Sequence, residues 1–69
     1  MQEIEIKLNG APERIPAGST IAGLLAGMGL RLDRVAVEKN GEIVPKMAYE
    51  EVPVAEGDCL EVVSFVGGG

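Results

Sequence analysis

The chain has 69 residues and a formal net charge of −5, because eleven acidic side chains outnumber six basic ones. A chain of this length forms one small domain with a thin core, and its acidic balance disfavours a nucleic-acid partner. It has no His and a single Cys, so a His-based acid–base pair, a zinc cluster and an internal disulfide all lack the residues that they need. We therefore expect a protein that is not an enzyme and that binds no metal or cofactor.

The start of the chain bears on its location. Residues 1–4 lack the basic start and the apolar run of a signal peptide, and no stretch is long enough to cross a membrane. A lone Cys fits a reducing compartment. The sequence therefore predicts a soluble, cytoplasmic protein without a membrane partner, and we expect it to be a monomer when free.

The first predicted element is a hairpin. Residues 2–8 alternate between apolar and polar side chains, which is the period-2 pattern of a half-buried strand. Asn9-Gly10 supplies the positive φ angles of a tight turn, so a second strand is expected over residues 11–16, with Ile15 pointing inward. Two prolines in this strand cannot donate hydrogen bonds, which places it at an edge of the sheet.

A helix is predicted next. Ser19 and Thr20 offer side-chain oxygens that can cap the amides of a helix beginning near Ile21. One apolar stripe follows at helical spacing, and Gly29 is placed to end the helix in a left-handed conformation. The stripe, which we interpret as core, consists of Ile21, Leu24, Leu25 and Met28.

The middle of the chain predicts a second hairpin and a connection. A strand is expected over residues 33–39, and a second strand returns through residues 42–45. Between them, Asn40-Gly41 is interpreted as a turn that backbone geometry alone explains. The connection over residues 46–58 has room for one short helical turn, and we expect the ring of Tyr49 to pack over it.

The last strand is predicted over residues 59–66. Alternation places Leu60 and Val62 toward the core and leaves Val63 and Phe65 on the outer side. Cys59, at the start of this strand, is interpreted as an inert small apolar residue and not as a persulfide carrier.

Three glycines, Gly67, Gly68 and Gly69, follow the last strand. Glycine lacks a Cβ and tolerates almost any backbone angle, so we expect residues 1–66 to form the domain and residues 67–69 to form a flexible tail. Such a tail is either a frayed end or a thin ribbon, ending in a carboxylate, that threads into the active site of another protein.

Together these elements predict an α+β domain. One helix is available to cover one face of a mixed sheet of four or five strands. The first and last strands are the most apolar, so we place them side by side in the centre of the sheet. This is the β-grasp arrangement of ubiquitin-like domains.

Four segments carry a resemblance to a known family: residues 17–20 before the helix, residues 36–46, residues 56–58 and residues 65–69. Together they resemble the ThiS family, the sulfur carrier proteins of thiamin biosynthesis, over nearly the whole chain. The Ile-Val-Pro-basic run that ends at Lys46 favours thiamin over the molybdopterin relatives. Many members carry Arg at that position and end in two glycines instead of three.

The resemblance implies that Gly69 is the residue that is modified. A ThiF-like adenylyltransferase of the ubiquitin-activating type would use ATP to couple its carboxylate to AMP. Sulfur from the persulfide of a cysteine desulfurase or sulfurtransferase would displace the AMP, and the resulting thiocarboxylate would donate sulfur to a ThiG-like thiazole synthase. Gly67 and Gly68 would thread through a narrow channel because they have no Cβ.

A surface that docks on these partner enzymes is also expected. Val63, Phe65 and Val66 are the candidates, with Lys46 as a further one. In the alternative, Phe65 folds over the sheet edge and extends the core. The acidic side chains expected to steer the chain toward a basic partner are Glu50, Glu51, Glu56 and Asp58.

Two other functions stay open from the sequence. The same chemistry could deliver sulfur to molybdopterin or to another sulfur-containing product. Alternatively, the chain could be a ubiquitin-like modifier or a β-grasp interaction module. A modifier would form a stable amide with a protein amine, whereas a sulfur carrier would form a thioacid.

Overall fold

A computed structural model describes residues 2–65 of the chain. One α-helix, α1 (Ile21–Gly27), and two short 3₁₀ helices, Leu32–Arg34 and Lys46–Ala48, lie in this range. Its five strands are β1 (Glu3–Leu8), β2 (Ala11–Pro16), β3 (Val35–Lys39), β4 (Glu42–Val44) and β5 (Cys59–Ser64). The predicted helix, both hairpins, the helical turn and the last strand are therefore all present.

The strands form one open sheet in the order β2-β1-β5-β3-β4. The central pair, β1 and β5, is parallel, and the other neighbours are antiparallel. A parallel pair requires a long crossover connection, which here contains α1. The first and last strands therefore lie in the centre as predicted, and the architecture is the predicted β-grasp.

Both hairpins turn at an Asn-Gly pair. Asn9 and Gly10 have φ angles of 51° and 84°, and Asn40 and Gly41 have 54° and 84°. Two successive positive φ angles define the turn whose twist matches that of the flanking strands, and Asn and Gly are the residues that adopt them most readily. The turn prediction is therefore confirmed at both positions.

The helix begins and ends close to the predicted positions. The Oγ1 of Thr20 accepts a hydrogen bond from the Gly23 amide at 3.2 Å, and Gly29 has a φ of 75° just after the helix. Met28 is wrongly predicted as part of the buried stripe, because it is 38% exposed. The helix ends at Gly27, so Met28 is the C-cap residue and no longer continues the helical face.

The core lies between α1 and one face of the sheet. Its members are Ile6, Ile21, Leu24, Leu25, Val35, Val37, Val44, Tyr49, Val54, Leu60 and Val62. The prediction that Tyr49 packs over the connection is wrong, because its ring is fully buried in this core. Its hydroxyl donates to the Val35 carbonyl at 2.9 Å, which satisfies the one polar atom that burial would otherwise leave without a partner. Burial raises the pKa of Tyr49, so it stays neutral.

A buried carboxylate joins the second hairpin to the start of β5. Asp58 accepts hydrogen bonds from the Ala55 amide at 2.8 Å and from the side-chain amide of Asn40 at 3.1 Å, and the Lys39 ammonium lies 3.8 Å away. Burial raises the pKa of Asp58, but these hydrogen bonds and the lysine charge outweigh it, so the net pKa is lowered. The carboxylate is therefore held in its charged form.

This network corrects two sequence predictions. Asp58 does not belong to a solvated acidic surface that steers a partner, because it is buried and already hydrogen-bonded. Turn geometry alone does not explain Asn40, since its side-chain oxygen also accepts from the Cys59 amide at 2.9 Å. The Asn40 side chain thus fixes where β5 begins.

Candidate functional site

The residues that lead to the glycine tail are held by the centre of the sheet. β5 pairs with β3 from Leu60 to Ser64, and the Phe65 amide donates to the Arg34 carbonyl at 2.7 Å, one step beyond the strand. We call Ser64, Phe65 and Arg34 the tail root. The chain is therefore fixed in position up to Phe65, while Val66 and the three glycines lie outside the described residues.

The other side of β5 is held by a side chain. β1 pairs with β5 only at two positions and then turns at Asn9. The side chain of Asn9 accepts from the Val62 amide at 2.7 Å and donates to the Val62 carbonyl at 3.2 Å, so it continues the ladder where β1 has ended. Sequence reasoning missed this role because the turn already accounted for an Asn at this position.

The face of the sheet opposite α1 carries exposed apolar side chains. Val63 is 55% exposed, Phe65 is 56% exposed and Ile43 is 78% exposed. Val63 lies directly opposite Ala36 across the strand pair, and both line one shallow depression with Ile43. We call Ala36, Ile43, Val63 and Phe65 the apolar lane. The first three lie on the open face, and Phe65 follows at the tail root, where it lines a cleft with Leu30 and Arg34.

Val63 therefore points outward as predicted, and Phe65, just beyond β5, is exposed as well. Phe65 is not folded over the edge into the core, since more than half of its surface is accessible. Ile43 was missed by sequence reasoning, because two adjacent apolar residues, Ile43 and Val44, do not show which of them faces the core. The structure buries Val44, and alternation then places Ile43 on the outer face.

Lys46 lies close to the tail root and contacts the turn that leads to it. Its ammonium donates to the Asp33 carbonyl at 2.8 Å. The Asp33 carboxylate in turn accepts two hydrogen bonds from the Arg31 guanidinium, at 3.1 and 2.9 Å. These hydrogen bonds from Arg31 lower the pKa of Asp33. Lys46 thus stabilises the short 3₁₀ helix before β3. Its role in docking stays a prediction.

The remaining acidic residues expected to steer a partner lie elsewhere. Glu56 accepts a hydrogen bond from the Glu5 amide at 3.1 Å, close to the start of β5 and so at the end of the strand opposite the tail root. Glu50 and Glu51 are exposed in the connection that precedes it. These three carboxylates are available to solvent, but none lies at the tail root.

Cys59 is exposed on the open face, where it pairs with Lys7 of β1. Its interpretation as an inert residue stays a prediction. Alternation explains the exposure, because Leu60 faces the core and its neighbour must face outward. Among residues 2–65, no three or more His, Cys, Asp or Glu side chains are grouped so that they could hold a metal ion. No helix in the same range has the length and apolar character of a membrane span.

The described residues thus present two features at one end of the sheet: the apolar lane and the fixed exit of the chain at Phe65.

Comparison with known proteins gives a consistent result. A family model described as the ThiS family matches residues 6–69. The sulfur carrier protein ThiS of Bacillus subtilis is 48% identical over 50 residues, which cover 72% of this chain and 76% of that protein. A protein named thiazole synthase from Magnetococcus marinus is 46% identical over 66 residues, covering 96% of this chain but 20% of that protein. The chain thus spans about a fifth of the length of this longer relative.

The fold has a close match among solved structures. The crystal structure of the thiamine biosynthesis protein ThiS from Geobacter metallireducens superposes with a TM-score of 0.81 at 29% identity. The match covers 96% of this chain and 100% of that one.

Proposed function

The chain belongs to the ThiS family, the sulfur carrier proteins of thiamin biosynthesis, and from this we propose that it carries sulfur as a thiocarboxylate on Gly69 for thiazole formation. The observation that carries the proposal is the family match itself, which runs as far as Gly69 and so includes the glycines. The chain is the protein that is modified, and partner enzymes perform the chemistry.

The proposed chemistry starts from a poor electrophile. A carboxylate oxygen of Gly69 attacks the α-phosphorus of ATP in a ThiF-like adenylyltransferase, which forms the acyl adenylate and releases pyrophosphate. The terminal sulfur of a persulfide, held by a cysteine desulfurase or sulfurtransferase, then attacks the acyl carbon and expels AMP. A thiol reduces the resulting acyl disulfide, which leaves the thiocarboxylate and a disulfide. ATP is thus a substrate of the partner and not a cofactor of this chain.

Glycine suits this chemistry for a steric reason. Without a Cβ, Gly67 and Gly68 can pass through a narrow channel, and no side chain of Gly69 shields its acyl carbon. Gly69 is the fourth residue after Phe65. Even in a fully extended tail, its carboxylate therefore lies at most about 14 Å from the tail root. The partner must therefore bind the domain close to Phe65 for Gly69 to reach its active site.

The apolar lane is the surface we assign to that binding. Exposed apolar side chains next to a functional segment are typical of protein interaction sites, and Val63 and Phe65 lie four and two residues before Gly67. Ordering a glycine segment on binding has an entropic cost, which contacts along the lane would offset. Val66 continues the same stretch of sequence and is included in this proposal with Lys46.

A thiazole synthase is the proposed sulfur acceptor. A relative of that name contains a region 46% identical to this chain within a much longer protein. Two activities that act in succession are often joined in one polypeptide, and this supports a ThiG-like enzyme as the partner that takes the sulfur.

The intact mass of the purified chain tests the proposal. The chain is incubated with ATP, a ThiF-like adenylyltransferase and a cysteine desulfurase loaded with persulfide, next to a variant without Gly68 and Gly69. We expect the full-length chain alone to gain the mass difference between sulfur and oxygen. An unchanged mass would contradict the proposal, provided that the same enzymes modify another carrier. A stable adduct with a protein amine would indicate a modifier instead.

A further inference from the structure

We propose that Arg34 at the tail root binds an acidic side chain at the rim of the activating enzyme's channel. This inference rests on the proposed function and adds a specific contact to it. It concerns a part of the surface whose charge is opposite to that of the chain as a whole.

Three of the six basic residues lie together at this end of the sheet. Arg31 and Lys46 both contact Asp33, and Arg34 belongs to the same short 3₁₀ helix as Asp33. We call Arg31, Arg34 and Lys46 the basic collar. A cluster of three cations around the exit of the tail stands out in a chain with a net charge of −5.

Within the collar, Arg34 is the cation that remains available to a partner. The Arg31 guanidinium is held by the Asp33 carboxylate at 2.9 Å, and the Lys46 ammonium donates to the Asp33 carbonyl. The Arg34 side chain is exposed and forms no ion pair among residues 2–65. A guanidinium without an internal partner can bind an external carboxylate through two parallel hydrogen bonds.

The surroundings of Arg34 would strengthen such a pair. A cleft of about 290 Å³ lies beside it, lined by Leu30, Arg31, Arg34, Val35, Ser64 and Phe65. The apolar side chains of this cleft would exclude water from a carboxylate that enters it. Charge pairs that are partly shielded from solvent contribute more to binding than those that are fully exposed.

The position of Arg34 indicates that it contacts the rim of the channel and not the nucleotide bound at the channel's end. The Arg34 carbonyl holds the Phe65 amide, so this residue stays at the base of the tail when the chain docks. The acyl carbon that meets ATP lies up to about 14 Å farther on when the tail is extended. Arg34 would therefore face the protein surface that surrounds the entrance.

Charge reversal tests the contact. Arg34→Glu is compared with Arg14→Glu, which makes the same charge change on β2, the edge strand far from the tail root. Arg14 is exposed there and pairs with Glu3. Pyrophosphate release by the ThiF-like enzyme is measured as a function of carrier concentration. We expect Arg34→Glu to raise the KM about tenfold and Arg14→Glu less than about twofold, with kcat preserved in both. Arg34→Gln should raise the KM by about threefold, since it removes the attraction without adding repulsion.

Three results would overturn the inference. Equal KM values for Arg34→Glu and Arg14→Glu would show that only net charge matters. A lower kcat with an unchanged KM would place Arg34 near the nucleotide. A melting temperature that falls for both Arg34→Glu and Arg34→Gln would make the residue structural. Failure of the proposed function is distinct from all of these, because the unmodified chain would then release no pyrophosphate at all.

Discussion

Two adjacent residues of β5 allow docking to be separated from folding. Val62 faces the core and is 8% exposed, whereas Val63 faces the open side and is 55% exposed. Phe65, two residues farther on, is exposed to the same extent as Val63. We compare Val63→Ala and Phe65→Ala with Val62→Ala as the control, since all three changes truncate an apolar side chain on one short stretch of chain.

The burial of these side chains sets the expected loss of stability. Val62→Ala removes two buried carbon groups at about 0.8 kcal/mol each and leaves a cavity, for a total of about 2 kcal/mol. In a domain of this size that loss lowers the melting temperature by about 8 to 16 °C. Val63→Ala and Phe65→Ala remove atoms that are half exposed, so each should lower the free energy of unfolding by less than about 1 kcal/mol.

The expected effects on docking run the other way. An aromatic residue at the centre of an interface commonly contributes about 2 kcal/mol, which corresponds to roughly a 30-fold change in affinity. We therefore expect Phe65→Ala to raise the KM of the activating enzyme at least about tenfold and Val63→Ala to raise it less. Val62→Ala should leave the KM unchanged at a temperature where it is folded.

Thermal unfolding followed by circular dichroism and pyrophosphate release with the activating enzyme give the two readouts. The docking role of the lane would be refuted if Phe65→Ala lost as much stability as Val62→Ala while its KM stayed the same. In that case Phe65 would belong to the core, as the alternative sequence interpretation proposed.

Three further predictions concern the hydrogen bonds that fix the fold. Tyr49→Phe should lower the free energy of unfolding by about 1 to 2 kcal/mol in denaturant titration, because it leaves the buried Val35 carbonyl without its donor. The pKa of Asp58 is lowered in the folded state, so its charged form stabilises the fold. This contribution is complete above the ordinary Asp pKa of about 4 and is lost as the pH falls through the folded-state value. We expect Asp58→Asn to be less stable at pH 7 and to lose less stability as the pH is lowered. Thr20→Ala should cost about 1 kcal/mol through loss of the cap on Gly23, measured in the same denaturant titration.

The fold was largely predictable because its signals are local. Alternation in residues 2–8, two Asn-Gly turns and one capped apolar stripe each depend on a few neighbouring residues. The central position of β1 and β5 followed from their apolar composition. The β-grasp arrangement is the fold that places both strands side by side with one helix over them.

The side-chain contacts that hold β5 were not predictable in the same way. Asn9 bonds Val62, which is 53 positions farther along the chain, and Asn40 and Asp58 meet only because β3 and β5 are paired. Periodicity shows whether a side chain points inward or outward, but it does not show which distant atom it meets. Tyr49 was misplaced for the same reason, since its partner is a carbonyl of β3.

In the candidate site, too, the features that depend on neighbouring residues were predictable and those that depend on distant contacts were not. The outward orientation of Val63 and Phe65 follows from alternation alone, and the role of the glycines follows from the family resemblance. Arg34 gave no signal in the sequence. Its significance depends on the Phe65 amide reaching its carbonyl, a contact between residues 31 positions apart that only the sheet topology creates.

The geometry of β5 also bears on whether Cys59 takes part in sulfur transfer. Six residues of extended chain separate it from Phe65, a span of about 20 Å, whereas the tail reaches at most about 14 Å from Phe65. The acyl carbon of Gly69 therefore falls several ångströms short of the thiol of the same molecule while β5 stays paired with β3. Although the Cys59 thiol is exposed, the tail is too short for it to pass sulfur directly to Gly69 of the same molecule. We expect Cys59→Ser to form the thiocarboxylate at the same rate as the unmodified chain, measured by intact mass over time; a loss of transfer would show that this reasoning is wrong.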